Sequence, residues 1–300
     1  MIKRIIDISE RSYLSLEKQQ LLIRKGEQIA GRIPIEDIGI LILQHPAIVL
    51  TQALVVTCQK NNVAIIFCDE RHLPYSITLP LTEANNLHQK TLKQQIDAGK
   101  PAKNRLWKQV VSEKIRNQAG VLKTFGKEHQ HLLKLSQRVK TADKENHEAQ
   151  AAQKYWRLLF GDDFRRDVDA GGANALLNYG YAIVRAMVAR AIVGSGLHPA
   201  LGIKHHNQYN GLCLADDLME PFRPWVDHTV IELLQKNADA EVNQQTKKSL
   251  LALPAVGVIH AKRKMPLMVA CHYLIADFKR ALTGEIKKLR YPRRVPAHRT

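Results

Sequence analysis

The run from Ala173 to Val193 limits the fold more than any other stretch, because it is apolar nearly all round, with Arg185 and Arg190 as exceptions. A helix with no polar face must be surrounded by other elements, so the chain has to build a sizeable helical body around this one. Asn, Tyr and Arg residues interrupt the run, which argues against a bilayer span. The other long apolar stretch, Ala47 to Cys58, is broken and too short to cross a membrane. Gly194-Ser195-Gly196-Leu197-His198-Pro199 ends the central helix with C-cap glycine chemistry and a following proline.

Ahead of that helix the pattern changes. Arg4–Ile8, Tyr13–Leu16, Gln20–Arg24 and Ile38–Leu43 are short, Ile/Leu-rich and separated by polar turns, as strands are. Ile48–Gln59 reads as a helix, broken by Asn61-Asn62 before a strand over Val63–Cys68. Pro74 and Pro80 close this β-rich region. From 83 to 147 the chain is polar, basic and helix-prone, with Leu106, Trp107, Val110, Val111 and Ile115 at helical spacing. Beyond the centre, Pro224–Leu234 and Gln245–Leu253 read as helices, and Met265–Leu289 as one long amphipathic helix. The expected fold class is α+β: a small β-rich domain over 1–80, a linker over 81–89, a larger all-α domain over 90–289 and a basic tail over 290–300. The start, Met1-Ile2-Lys3-Arg4, leads into a strand-like run rather than a leader. Cys58, Cys68, Cys213 and Cys271 form no CxxC pair and sit among apolar residues. They are expected to be reduced, and the expected location is cytoplasmic.

The net charge of +17 is concentrated. Lys90 to Lys140 holds 13 Lys/Arg against Asp97, Glu113 and Glu128, and Phe278 to Thr300 holds 8 against Glu285 alone. Those two segments carry the whole excess, which is the electrostatic footprint of a polyphosphate partner. No lipidation motif and no basic helix with an aromatic apolar face points to a membrane. The tail, with Pro292, Pro296 and four arginines, is expected to stay disordered until it meets phosphates.

Two stretches carry candidate chemistry. Gly202-Ile203-Lys204-His205-His206 precedes a short helical run with Asp217 and Glu220 three residues apart, so both carboxylates can share a face. Leu214 and Leu218 can seat that run on a core, and Pro221 and Pro224 kink or restart it. Spacing alone does not separate this pattern from a solvated surface turn. Upstream, His147-Glu148-Ala149-Gln150-Ala151-Ala152-Gln153-Lys154-Tyr155-Trp156 is a strong helix, with Glu148 at the edge of a buried stripe of Ala152, Tyr155 and Leu159. A carboxylate there is costly unless a cation meets it.

At these residues the sequence resembles the CRISPR-associated adaptation integrase family, the metal-dependent DNA endonuclease subunit that captures new spacers. His147–Ala152 with Tyr155-Trp156 is similar to the family's first acid-bearing helix, although Ala149 stands where a glycine commonly follows the Glu. Asn174–Ala182 resembles its central helix. Gly196-Leu197-His198-Pro199, Gly202–His205 and Asp217–Glu220 with Phe222-Arg223-Pro224 resemble its metal-binding core. Carried over by position, the resemblance implies Glu148, His205 and Glu220 as metal ligands and Asp217 as an auxiliary acid of the catalytic set. The family's glycine-to-histidine spacing falls on His205 rather than His206. Glu at 220, where many relatives have Asp, resembles the type II variety. The family also implies that 90–289 is the catalytic domain and that the β domain is a dimerisation platform. The implied assembly is a homodimer, two of which flank a dimer of the small adaptation protein.

One imidazole and two or three carboxylates make a hard, oxygen-dominated site suited to Mg²⁺ or Mn²⁺. The leading expectation is DNA strand transfer, in which a 3′-OH of captured duplex (the protospacer) attacks a phosphodiester at the CRISPR repeat border. Two alternatives use the same residues differently: a general metal nuclease acting on branched DNA or RNA, and a non-catalytic nucleic-acid scaffold in which the acids serve only structure.

Overall fold

The computed structural model describes residues 3–70, 73–80 and 87–294. Its first part is built from strands β1 (Arg4–Ile8), β2 (Tyr13–Glu17), β3 (Gln20–Lys25), β4 (Gln28–Pro34), β5 (Ile38–Leu43) and β6 (Val49–Leu50), helix α1 (Gln52–Lys60), and strands β7 (Ala64–Cys68) and β8 (Pro74–Thr78). They form two four-stranded sheets, ordered β1-β5-β7-β8 and β4-β3-β2-β6. β1, β5 and β7 run parallel, and β8 pairs antiparallel on the outside of β7. β5 is buried along its whole length, as a central parallel strand should be.

The two faces of β5 serve different cores. Leu41 and Leu43 look into a small core with Leu14, Leu21, Leu54 and Ile65, whereas Ile40 and Ile42 join the large core of the helical body. Period-two alternation thus stitches the β region to the helices through one sheet.

The helical body comprises α2 (His88–Asp97), α3 (Lys100–Thr124), α4 (Gln130–Arg138), α5 (His147–Phe160), α6 (Ala173–Gly194), α7 (Cys213–Met219), α8 (Arg223–Lys236) and α9 (Gln244–Leu251). It continues through strands β9 (Gly257–His260) and β10 (Arg263–Pro266), α10 (Leu267–Leu282) and the short strand β11 (Arg293–Arg294). α6 is the central helix that the sequence demanded. It is long and apolar enough to cross a membrane by length and composition, yet 83% of its most apolar window is buried inside the protein.

The expected all-α domain over 90–289 is corrected here. β9 and β10 form an antiparallel hairpin, and β11 completes a three-stranded sheet with order β10-β9-β11. The single helix expected over Met265–Leu289 is shortened accordingly, starting after Pro266 and ending before Gly284, whose φ is +79°. The expected linker over 81–89 lies outside the described residues up to 86, and α2 already begins at His88.

The disordered tail is also corrected as far as Arg294, beyond which the chain lies outside the described residues. Arg290 makes two 2.7 Å hydrogen bonds to Asp277, Arg293 donates to Glu113 at 2.7 Å, and Arg294 lies 4.7 Å over the Trp225 ring. Three of the four tail arginines therefore hold the fold together.

Candidate active site

Four segments meet at one place. α3 brings Trp107 and Lys114, two turns apart on one helix face. α5 brings Glu148 in its first turn, the loop after residue 202 brings His205, and the 3-10 turn Glu220–Phe222 after α7 brings Glu220.

Glu148 is placed by the cap of its helix. Both oxygens of Asp143 accept at 3.0 Å from the first amides of α5, His147 N–H and Glu148 N–H, an anion at a helix N-terminus. The chain enters that helix through Asn146 in a left-handed conformation.

His205 is placed by Asp217, which is fully buried. Asp217 Oδ2 accepts from Ile203 N–H at 2.7 Å and Lys204 N–H at 2.9 Å. Its Oδ1 takes His205 N–H at 3.3 Å and the ring Nδ1 at 2.6 Å. The loop wraps so tightly that a Cβ on Gly202 would lie 2.3 Å from the His205 carbonyl oxygen and 2.9 Å from Asp217 Oδ2. Only glycine fits there. Trp107 closes the other side of the imidazole edge-on, with ring centroids 5.7 Å apart. The ring remains 54% exposed, and with Nδ1 engaged its Nε2 is the nitrogen left for a ligand. The Asp217 hydrogen bond raises the pKa of His205 against the opposing effect of burial, with smaller contributions from Asp217, Glu148 and Glu220 as charges.

The two glutamates meet a single cation. Lys114 Nζ lies 2.7 Å from Glu148 Oε1 and 2.5 Å from Glu220 Oε2. Glu220 Oε1 accepts from Arg223 Nε at 2.7 Å. Burial would raise the Glu220 carboxyl, but Lys114 and Arg223 outweigh it and hold it at about 2. Lys114 shows the reverse balance: burial pulls it down, and Glu220 and Glu148 more than restore it, raising its pKa. Glu220 Oε2 is buried and accepts no well-aligned hydrogen bond, so the ammonium meets it as a charge.

A second layer lies behind this pair. Tyr155 and Tyr181 donate their hydroxyls to the buried Asp227 at 2.8 and 2.5 Å, and Arg223 stacks 4.6 Å over the Tyr181 ring. Burial pushes Asp227 up to about 6 against the pull of those hydroxyls.

The structure thus brings Glu148 and Glu220 to one ammonium, with His205 held beside Trp107 of the same helix α3. It gives Asp217 to the histidine loop rather than to the glutamates, although the i, i+3 spacing allowed a shared face. Among the described residues, no three His, Cys, Asp or Glu side chains already stand as a cluster able to hold a metal ion. Sequence reasoning missed Lys114 and Asp227, and it placed Tyr155, Tyr181 and Arg223 within matching segments without giving them a role. One signal for Lys114 was present: it stands four residues after Val110 and seven after Trp107, inside the apolar stripe of α3.

With this geometry in view, the likeness to known proteins is specific. A family model described as "CRISPR associated protein Cas1" matches residues 6–257. The chain belongs to the Cas1 family. It is 33% identical over 300 residues to the CRISPR-associated endonuclease Cas1 of Neisseria meningitidis serogroup C (strain 8013), covering 99% of this chain and 98% of that protein. Among solved structures, a casposase bound to integration product superposes with a TM-score of 0.79 at 21% identity, covering 96% of this chain and 92% of that one. A Cas6-RT-Cas1–Cas2 complex gives a TM-score of 0.73 at 15% identity, with 95% of this chain and 35% of that chain covered. A mixed α and β Cas1 fold is therefore shared across the whole length.

Proposed function

We propose that this chain is a CRISPR spacer integrase of the type II variety, in which Glu148, His205 and Glu220 hold one Mg²⁺ or Mn²⁺ ion. The observation that carries this reading is the convergence of Glu148 and Glu220 on one cationic position, with an aspartate-steered imidazole beside them. The donor set fits a hard divalent ion. It offers carboxylate oxygens, one of them the buried Glu220 Oε2 without a directed hydrogen bond, and one ring nitrogen whose partner nitrogen is fixed by Asp217. When bound, such an ion supplies charge stabilisation at a phosphate oxygen and at the departing 3′ oxygen.

The chain's own residues do the rest. Asp217 and Gly202 fix the imidazole, Asp143 fixes the helix of Glu148, and Arg223 fixes Glu220. Surface lysines and arginines hold the DNA backbone without reading bases. A 3′-OH of the protospacer end attacks a repeat phosphodiester, and the attacked strand's own 3′ oxygen departs. One phosphodiester forms as one breaks, and the proton lost by the attacking hydroxyl is balanced by one gained at the leaving oxygen, so no nucleotide cofactor is consumed. Double-stranded DNA is the substrate on both sides. We infer a homodimer formed through the β domain, a dimer of the small adaptation protein as partner, and a cytoplasmic setting. The casposase and the Cas1–Cas2 assembly among the structural neighbours support the reading.

A joining assay tests it: purified protein with its small partner, a duplex with free 3′-OH ends, a repeat-bearing plasmid, and Mg²⁺ or Mn²⁺ with a chelator control. Joined product from wild type with metal, lost in His205→Ala, is the expected result. Cleavage without joining would favour the general nuclease, and equal DNA binding by both proteins with neither reaction would favour the scaffold.

A further inference from the structure

Lys114 has no part in the sequence motifs, yet it pairs with both glutamates of the site. It projects from α3 between two carboxylates that come from different segments, Glu148 at 2.7 Å and Glu220 at 2.5 Å. Only about 12% of its side chain is exposed. A buried ammonium is tolerated when opposite charges surround it, and two nearby carboxylates are tolerated only when a cation neutralises their repulsion. The helix that carries Lys114 is anchored to the same turn, because Asn117 Nδ2 donates to the Pro221 carbonyl at 2.8 Å. Trp107 on the same face packs against His205. Thus α3 touches both glutamates and the histidine at once.

We propose that Lys114 is the resident cation of this site, a positioning residue that holds Glu148 and Glu220 together before a divalent ion enters and competes with that ion for both carboxylates. The inference rests on the metal reading above and adds a property to it: the site is kept assembled without its ion, and the ion's affinity is set by the work of displacing an ammonium. Two positive charges cannot share these oxygens closely, since like charges about 4 Å apart repel by several kcal/mol at an effective dielectric near 20. The α5 helix and the Glu220 turn are far apart in sequence, so without a cation between them nothing in the acids' own chemistry draws them together.

The test compares wild type, Lys114→Met and Lys114→Arg by isothermal titration with MgCl₂ and MnCl₂ and by thermal melting, using the full chain. Lys114→Met should melt lower than wild type without metal, recover most of that loss in saturating Mn²⁺, and bind Mn²⁺ roughly tenfold tighter or more. Lys114→Arg keeps the charge and should bind Mn²⁺ within a few-fold of wild type. Side-chain ¹⁵N NMR of the wild type gives a reading that does not depend on how Lys114→Met folds. The Lys114 ammonium resonance, assigned by its absence in Lys114→Arg, should shift or vanish in Mg²⁺ with the midpoint of the binding isotherm. Mg²⁺ binding that leaves that resonance unmoved, or a Lys114→Met variant that binds Mn²⁺ no tighter, overturns the role of Lys114 while leaving the metal site standing. Absence of divalent-ion binding in all three proteins overturns the metal reading itself.

Discussion

Asp217 accepts four hydrogen bonds, three from backbone amides and one from the His205 ring. A carboxylate has about four lone-pair sites, so none is left for an ion. Its work is to orient the imidazole that a metal would use, and carboxylates behind ligating histidines typically change metal affinity or activity by about 10–100-fold when lost. Asp217→Asn should therefore lower Mn²⁺ affinity and strand joining by about that factor, read by titration and by product on gels. Unchanged Mn²⁺ affinity would remove Asp217 from the site. Glu148, His205 and Glu220 were named through the resemblance of their segments to the family's motifs, because spacing alone left the His205–Glu220 stretch open as a surface turn. Lys114 was not, because in a segment with 13 basic residues a lysine reads as one more solvated charge. Its burial comes from α5 and the Glu220 turn folding over it, which is tertiary information.

At the scale of elements, the strands with Ile/Leu runs were legible and the tight hairpins were not. β2 and β3 are joined by Lys18-Gln19, and β9 and β10 by Ala261-Lys262, with φ of 48°, 61°, 47° and 68°. Two consecutive left-handed residues are the two-residue hairpin turn that normally advertises itself as Asn-Gly or Asp-Gly. Here neither pair contains Gly or Asn, so β9 and β10 passed as part of a helical domain. Each such non-glycine residue costs about 1 kcal/mol. Gln19 is exposed, and its carbonyl accepts from Ile35 N–H at 3.0 Å. Gln19→Gly should keep that bond and raise the unfolding free energy by about 1 kcal/mol in urea titration. A loss of stability would show that the Gln19 side chain itself carries a stabilising interaction.

Across the whole molecule, part of the concentrated positive charge is engaged inside the fold. Arg290, Arg293, Lys114 and Arg116 lie in the two basic segments, yet they pair internally with Asp277, Glu113, Glu148 and Glu220. The β region and helical body also meet through a buried cation, Arg190 on α6, which donates to the Asn62 carbonyl and at 2.8 Å to His272 Nε2 on α10. Burial first, then Arg190 and Lys3, depress His272 from 6.5 to about 4. The unfolded chain therefore binds more protons between those values, so this contribution is complete above pH 6.5 and is lost as pH falls toward 4. His272→Gln should flatten that part of the stability profile in urea melts across pH, and an unchanged slope would contradict the seam. In the proposed ion site, three side chains from separate elements act as one unit. Its most direct test is a crystal of the protein grown with DNA and Mn²⁺, with anomalous data at the manganese edge. The expected result is a peak in bonding contact with Glu148, His205 and Glu220, with Lys114 withdrawn from between the acids. A peak elsewhere, in a protein that still joins DNA with Mn²⁺, would contradict it.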